Sequence, residues 1–112
     1  MLKRTSRIQN QRLIDKLGRK GHSFKTANFV FKYLPSDLPD SKFAVNINKK
    51  VAPKAVDRNR VRRQLNESLR LHMSEIPSPV VCLIIQKKGN TDTLAYNIIE
   101  SEVLSFINHL LK

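Results

Sequence analysis

Arg58-Asn59-Arg60-Val61-Arg62-Arg63 gathers the side chains in this chain best suited to holding a polyanion. A guanidinium is a planar fork that binds phosphate oxygens two at a time and stacks on exposed bases. Asparagine offers a donor and an acceptor to base edges or ribose hydroxyls. Charged residues on a helix are usually only a solvated face, and that accounts for one or two of these arginines. A solvated face normally mixes signs, yet four arginines stand in six residues here with only Asp57 nearby. Lys49, Lys50 and Lys54 lie just upstream.

Nothing comparable marks a catalytic centre. His22, His72 and His109 are far apart and lack a clear Cys, Ser or Asp partner set. His72 reads as a packing or flank residue and Glu67 as a local ion-pair partner. No Cys/His cluster has zinc spacing. Cys82 lies in the apolar run Val80-Val81-Cys82-Leu83-Ile84-Ile85 and reads as a buried thiol.

The basic run needs an element to aim it. Pro53 before it and Pro77 after it bracket a helix from about Lys54 to about Met73. At about 100° per residue, Leu65, Ser68, Leu69 and His72 fall beside Val61 as a narrow core stripe. Asn59, Arg63, Asn66 and Arg70 fall opposite. Arg62 sits on one flank, Arg60 and Glu67 on the other. Arg58 falls on the core side, but in the first turn its stem can reach past the helix end.

Other elements support this helix. Residues 1–9 read as a mobile basic arm. Asn10 caps a short helix through Leu17, with Gly18 as its stop and a basic turn to Gly21. Residues 21–27 form a weak strand candidate. Asn28–Leu34 alternates as a strand, with Phe29, Phe31 and Tyr33 on one face and Val30, Lys32 and Leu34 on the other. Lys42–Asn48 does the same: Phe43, Val45 and Ile47 point one way, Ala44, Asn46 and Asn48 the other. Val80–Gln86 is apolar enough to be a central strand buried on both faces. Lys87–Thr93 is a loop. A final amphipathic helix carries Ile99, Val103, Phe106, Ile107 and Leu110 inward and Glu100, Glu102 and Asn108 outward. This order predicts a single α/β (α+β) domain over residues 1–112, a two-layer sandwich of a small mixed sheet and about three helices.

Composition narrows the partner. Lys and Arg number 21 against 9 Asp and Glu, a net charge of +12. Such an excess calls for a polyanion. Residues 1–32 hold nine basic residues and one acid, residues 42–70 nine and two, and residues 71–112 are near neutral. The partner therefore meets the first two-thirds. No apolar run suggests a signal peptide or membrane span, and the narrow apolar stripe of the basic helix disfavours a membrane surface. A cytoplasmic nucleic-acid binder fits.

The run Arg58 to Arg63 resembles the RNR motif of bacterial ribonuclease P protein subunits, in which RNR precedes an aliphatic and two basic residues. Asn46-Ile47-Asn48-Lys49-Lys50-Val51 is similar to the family's strand ending in a double lysine and an aliphatic residue. Gly21 and Phe29 fall near its glycine turn and first-strand phenylalanine. The resemblance implies a fold like domain 2 of ribosomal protein S5, with a left-handed crossover. It implies an RNA-binding subunit that helps a catalytic RNA cut the 5′ leader from precursor tRNA. Mg²⁺ would be held mainly by the RNA, with no cofactor intrinsic to the protein, no membrane role and no small-molecule substrate. Lys49, Lys50, Lys54, Arg58, Asn59, Arg60, Arg62, Arg63, Asn66 and Arg70 would meet the catalytic RNA. Ile14, Phe29, Phe31, Lys32, Asn46 and Asn48 would meet the leader in a cleft between the first helix and the sheet, although a phenylalanine on a strand, such as Phe29 or Phe31, is more often core.

Departures from the family pattern are local. Ala52-Pro53 stands where glycine is usual, with one extra residue before RNR. Asn66 replaces a common arginine. Ile14, Gly18 and Lys32 lie near positions where some members carry leader-contacting aromatics. Two other readings remain at this stage: a ribosomal or other structural RNA binder, and a protein-only nuclease. The second lacks a carboxylate cluster, and no helix-turn-helix pair suggests a DNA-binding factor.

Overall fold

A computed structural model describes residues 7–37, 39–87 and 94–111. The elements are α1 (Gln11–Lys20), β1 (His22–Lys25), β2 (Phe29–Pro35), β3 (Lys42–Asn46), α2 (Ala55–His72), a 3-10 turn (Met73–Glu75), β4 (Val80–Gln86) and α3 (Tyr96–Leu110). The sheet order is β1-β2-β4-β3. β1–β2 and β2–β4 are antiparallel, and β3–β4 is parallel. A parallel neighbour requires a crossover, and α2 supplies it. The mixed α+β sandwich expected from the sequence is the fold observed.

Each face of the sheet has its own core. Phe29, Phe31, Phe43, Cys82 and Ile84 pack with Val61, Leu65 and Leu69 of α2 and with Ile99, Val103 and Phe106 of α3. Phe31 stacks on Phe106 with centroids 4.5 Å apart. Each fully buried phenylalanine contributes about 1.5–3 kcal/mol. On the other face Val81 and Leu83 pack under Leu17 of α1, with Leu13, Ile14, Leu34, Ala44 and Ile85 around them. β4 is apolar from Val80 to Ile85 because most of its length is covered on both sides. Burial pushes the Cys82 thiol pKa well up, as its apolar setting predicts.

The structure revises several local expectations. Asn10 does cap α1, its side chain accepting from the Arg12 N–H at 2.9 Å. The helix does not stop at Gly18, however. It runs to Lys20, and the Gly21 N–H closes it on the Leu17 carbonyl. The weak segment after it is strand β1. The expected mobile arm is partly anchored: Arg7 bridges to Phe43, and Ile8 donates to the Phe43 carbonyl at 2.8 Å and is buried. Residues 1–6 of that arm, and residues 88–93 of the expected loop, lie outside the described residues.

Glu102 does not face outward. It is 7% exposed and accepts from the Asn28 backbone N–H at 2.7 Å and the Asn28 amide at 2.6 Å. It thus fastens the turn before β2 to α3. His72 lies between Glu75 and Glu100, its Nε2 hydrogen-bonded to the Glu100 carboxylate at 3.0 Å, and Glu100 and Glu75 together hold its pKa above the usual histidine value. This joins the end of α2 to α3, so His72 is the flank residue expected.

The two glycines of α1 and its cap should respond oppositely to alanine. Around Gly18 there is open space, whereas a Cβ on Gly21 would stand 2.6 Å from the Leu17 carbonyl oxygen and 3.2 Å from the Tyr33 nitrogen. Thermal unfolding should show Gly18→Ala stabilised by about 0.5–1 kcal/mol, the usual helix-interior gain. Gly21→Ala should be destabilised by about 1–3 kcal/mol, because backbone on both sides must yield.

Candidate nucleic-acid interface

Val61, Leu65 and Leu69 are 0–1% exposed, and this burial sets the rotation of α2. Asn59, Arg63 and Arg70 are exposed, as the helical period predicts. Val56, 75% exposed, shares the Arg63 side of the helix. Lys49, Lys50 and Lys54 are exposed beside the helix start, and Lys54 is its N-cap. The N-terminal end of a helix adds partial positive charge and unsatisfied N–H groups. Together these make one basic surface.

Asn66 does not belong to it. The wheel places Asn66 opposite Val61, but it is 9% exposed. The buried arc is centred nearer Leu65 and Leu69 than Val61, so its edge reaches Asn66. Few of its atoms are presented to a partner.

The arginines are not equivalent. Arg63 lies open to solvent. Arg62 is half-buried and donates to the Asn59 side-chain oxygen at 3.2 Å. Arg60 is half-buried and donates to the Leu94 carbonyl at 2.7 Å and the Gln64 side chain at 3.2 Å. Arg58 donates from one nitrogen to the carbonyls of Ala52, at 2.8 Å, and Pro53, at 2.9 Å. Arg70 pairs with Glu67 through two hydrogen bonds of 2.5 and 3.2 Å. That pairing, chiefly its hydrogen bond, is the largest cause holding the Glu67 carboxyl down at about 2, and it raises Arg70. The ion pair expected for Glu67 is therefore present. Both side chains are more than a third exposed, so a phosphate can displace the carboxylate at small cost.

The second group of candidate residues divides between the two sheet faces. Phe29 and Phe31 are 0% exposed in the core under α3. They cannot line a cleft beside α1, which covers the opposite face. Of the two readings left open by the sequence, the core one holds. Ile14 is half-buried on α1. Lys32 donates to the Gly18 carbonyl at 2.9 Å, reaching under the end of that helix. Asn48 is exposed but committed to a turn: its side-chain oxygen accepts from the Lys50 N–H at 2.8 Å. Asn46 is exposed at the end of β3.

Strand register shows what lies beside Asn46. Lys25 pairs with Val30, Val30 with Ile85, and Ile85 with Asn46. These four form one row across the sheet on the α1 side. The next row, Lys32, Leu83 and Ala44, brings Leu83 to 5% exposure under α1. Val30 and Ile85 are only half-buried, and Lys25 and Asn46 are exposed. The open row is thus an apolar floor with an ammonium at one end and an amide at the other. Sequence reasoning missed Lys25, Val30 and Ile85. The alternation marked the face of Val30, but which row α1 leaves open depends on helix placement.

A predominantly basic helix face mounted on a small mixed sheet defines an α+β nucleic-acid-binding protein. Comparison with known proteins makes this specific. Residues 2–111 match the model of the Ribonuclease P family. The ribonuclease P protein component of an Exiguobacterium species is 30% identical over 111 residues, covering 99% of this chain and 91% of that protein. Its counterpart in Idiomarina loihiensis is 39% identical over 64 residues, 57% of this chain and 50% of that protein. A mutant of the Staphylococcus aureus RNase P protein superposes with a TM-score of 0.83 at 21% identity, covering 94% and 87% of the two chains. The Thermotoga maritima RNase P protein gives 0.82 at 19% identity, covering 92% and 96%. The chain belongs to the ribonuclease P protein family. Members of this family are the protein subunit of an endoribonuclease that matures tRNA 5′ ends through its RNA.

Two substitutions separate the exposed arginines from the paired one. Arg63→Ala should weaken RNA binding and flatten its salt dependence, lowering the log–log slope by about 1 for a lost phosphate contact. Glu67→Gln should strengthen binding several-fold by releasing Arg70. Affinities titrated across a salt series check both; an unchanged slope removes Arg63 from the contact surface.

Proposed function

We propose that this chain holds the catalytic RNA of ribonuclease P on the outward side of α2 and the lysine loop before it, and the single-stranded 5′ leader of precursor tRNA on the open sheet row beside α1. One observation carries the first half: Arg63 and Asn59 face solvent because Val61, Leu65 and Leu69 are sealed on the other side. Lys49, Lys50, Lys54, Arg62 and Arg70 extend that surface. Their charge releases counterions from the RNA and lowers the repulsion between two RNAs brought together.

The second half rests on the row Lys25, Val30, Ile85 and Asn46. Four strands cross about 14 Å at the usual spacing, which is room for about four nucleotides at ~3.4 Å each. An apolar floor accepts base faces without reading sequence. Lys25 offers a phosphate contact, and Asn46 a hydrogen bond to a base or ribose. Ile14 and Lys32 form the wall at α1. With Phe29 and Phe31 in the core, the grip on the leader is aliphatic rather than aromatic.

Among the described residues, no three His, Cys, Asp or Glu side chains converge as metal ligands. The reading leaves Mg²⁺ with the RNA, and the protein supplies charge and position. Among the described residues no helix is long and apolar enough to cross a membrane.

Reconstitution with a bacterial ribonuclease P RNA tests the proposal. At low Mg²⁺ the protein should raise cleavage of precursor tRNA, with a gain that grows as the leader lengthens to about four nucleotides and then levels off. Lys25→Glu combined with Asn46→Ala should abolish the dependence on leader length and keep RNA affinity. No gain in cleavage would leave a structural RNA binder as the better reading.

A further inference from the structure

The loop between β3 and α2 is held in an unusual way. The Asn48 carbonyl accepts from both the Val51 and Ala52 N–H groups at 3.0 Å, while the Asn48 side chain accepts from the Lys50 N–H at 2.8 Å. This folds Lys49 and Lys50 into a tight turn that is closed on itself. The turn is then fixed to α2 at two points. Ala52 is 0% exposed in the core, and its carbonyl, with that of Pro53, receives the Arg58 guanidinium. Pro53 has no N–H and cannot tie the segment down by donating. The side chain of Lys54 makes no capping bond at the helix start. The geometry points to Arg58 as a positioning residue, a clamp that holds the segment following the Lys49–Lys50 turn against the start of α2, and not as a phosphate contact of its own.

The chemistry suits that role. The carbonyls of two consecutive residues present lone pairs close together, and a guanidinium N–H₂ group can satisfy both. Charge-assisted hydrogen bonds of this length are stronger than neutral ones. The clamp also bears on the Ala52-Pro53 segment, where this chain departs from the usual glycine and has an extra residue. A longer entry to the helix has more ways to lie, and Arg58 selects one. The cost is that the donors facing the loop are turned away from an RNA partner. Arg60, bonded to Leu94, is likewise turned aside. The phosphate-binding load then falls on Arg62, Arg63, Arg70 and the lysines Lys49, Lys50 and Lys54.

The inference rests on the reading that the α2 surface binds RNA, but half of its test needs no RNA. In the free protein, Arg58→Met should speed amide exchange at Val51 and Ala52 at least tenfold and leave the amides of β4 unchanged. Arg63→Met should change neither. Met keeps the aliphatic stem, so global unfolding, which would speed β4 as well, is told apart from loop release. In RNA binding, Lys49→Ala with Lys50→Ala should weaken the wild type by about tenfold, the scale expected for two phosphate contacts. In the Arg58→Met background it should cost less than about threefold, since the lysines are already misplaced. Additive losses with unchanged exchange at Val51 and Ala52 would overturn the clamp and make Arg58 an independent RNA contact. Failure of the wild type to bind ribonuclease P RNA would instead defeat the functional reading and leave the exchange result standing.

Discussion

The rotation of α2 about its own axis decides what this protein can hold. Five arginines ride on that helix, and each could face inward, sideways or out. Val61, Leu65 and Leu69 are sealed against α3 and the sheet, and removing that apolar surface from water contributes several kcal/mol. A turn of the helix by one residue would expose two of them and bury charge, which is far more costly. The apolar stripe therefore fixes the arginines. Arg63 and Arg70 face out with Asn59, Arg62 stands at the edge, and Arg58 and Arg60 are near enough to backbone carbonyls to be used within the protein.

The sheet divides its faces in the same way. The α3 face is closed by aromatic packing, with Phe24, Phe31, Tyr33, Phe106 and His109 in mutual contact. Among the described residues the other face carries α1 and the buried Ile8, and the ten residues of α1 span about 15 Å. That length covers the rows of Val81 and Leu83 and leaves the row of Ile85 open. A short helix on a four-stranded sheet thus creates a groove without any cavity being carved for it. Glu102 contributes from a distance by holding Asn28, at the start of β2, to α3.

Much of this was legible in the sequence, for physical reasons. The 3.6-residue period of α2 and the two-residue alternation of β2 and β3 are imposed by burial, so residue type reports the face. The continuous apolar run of β4 follows from its cover on both sides. What stayed hidden depends on distant parts of the chain. Asn66 looked exposed because the wheel was centred on Val61, whereas the packing of α2 centres the buried arc nearer Leu65 and Leu69. Gly18 looked like a helix stop, yet the stop is Gly21, where the Leu17 carbonyl, with Tyr33 of β2 close behind, leaves no room for a Cβ. The RNR motif looked uniform because a motif cannot tell a guanidinium that meets phosphate from one that meets the Ala52 carbonyl. Family resemblance supplied the function, which spacing alone could not reach.

The central claim is that the outward side of α2 lies against the catalytic RNA. The single cysteine, Cys82, is fully buried, and burial pushes its thiol pKa up, so one introduced surface cysteine can carry a hydroxyl-radical probe selectively. Val56→Cys places that probe beside Arg63, and Ser105→Cys places it on the exposed side of α3. In the reconstituted holoenzyme, the probe at position 56 should cleave the catalytic RNA strongly at a few neighbouring nucleotides, while the probe at position 105 cleaves it weakly or not at all. Strong, localised cleavage from position 105 with none from position 56 would contradict the account and put the RNA on the α3 side.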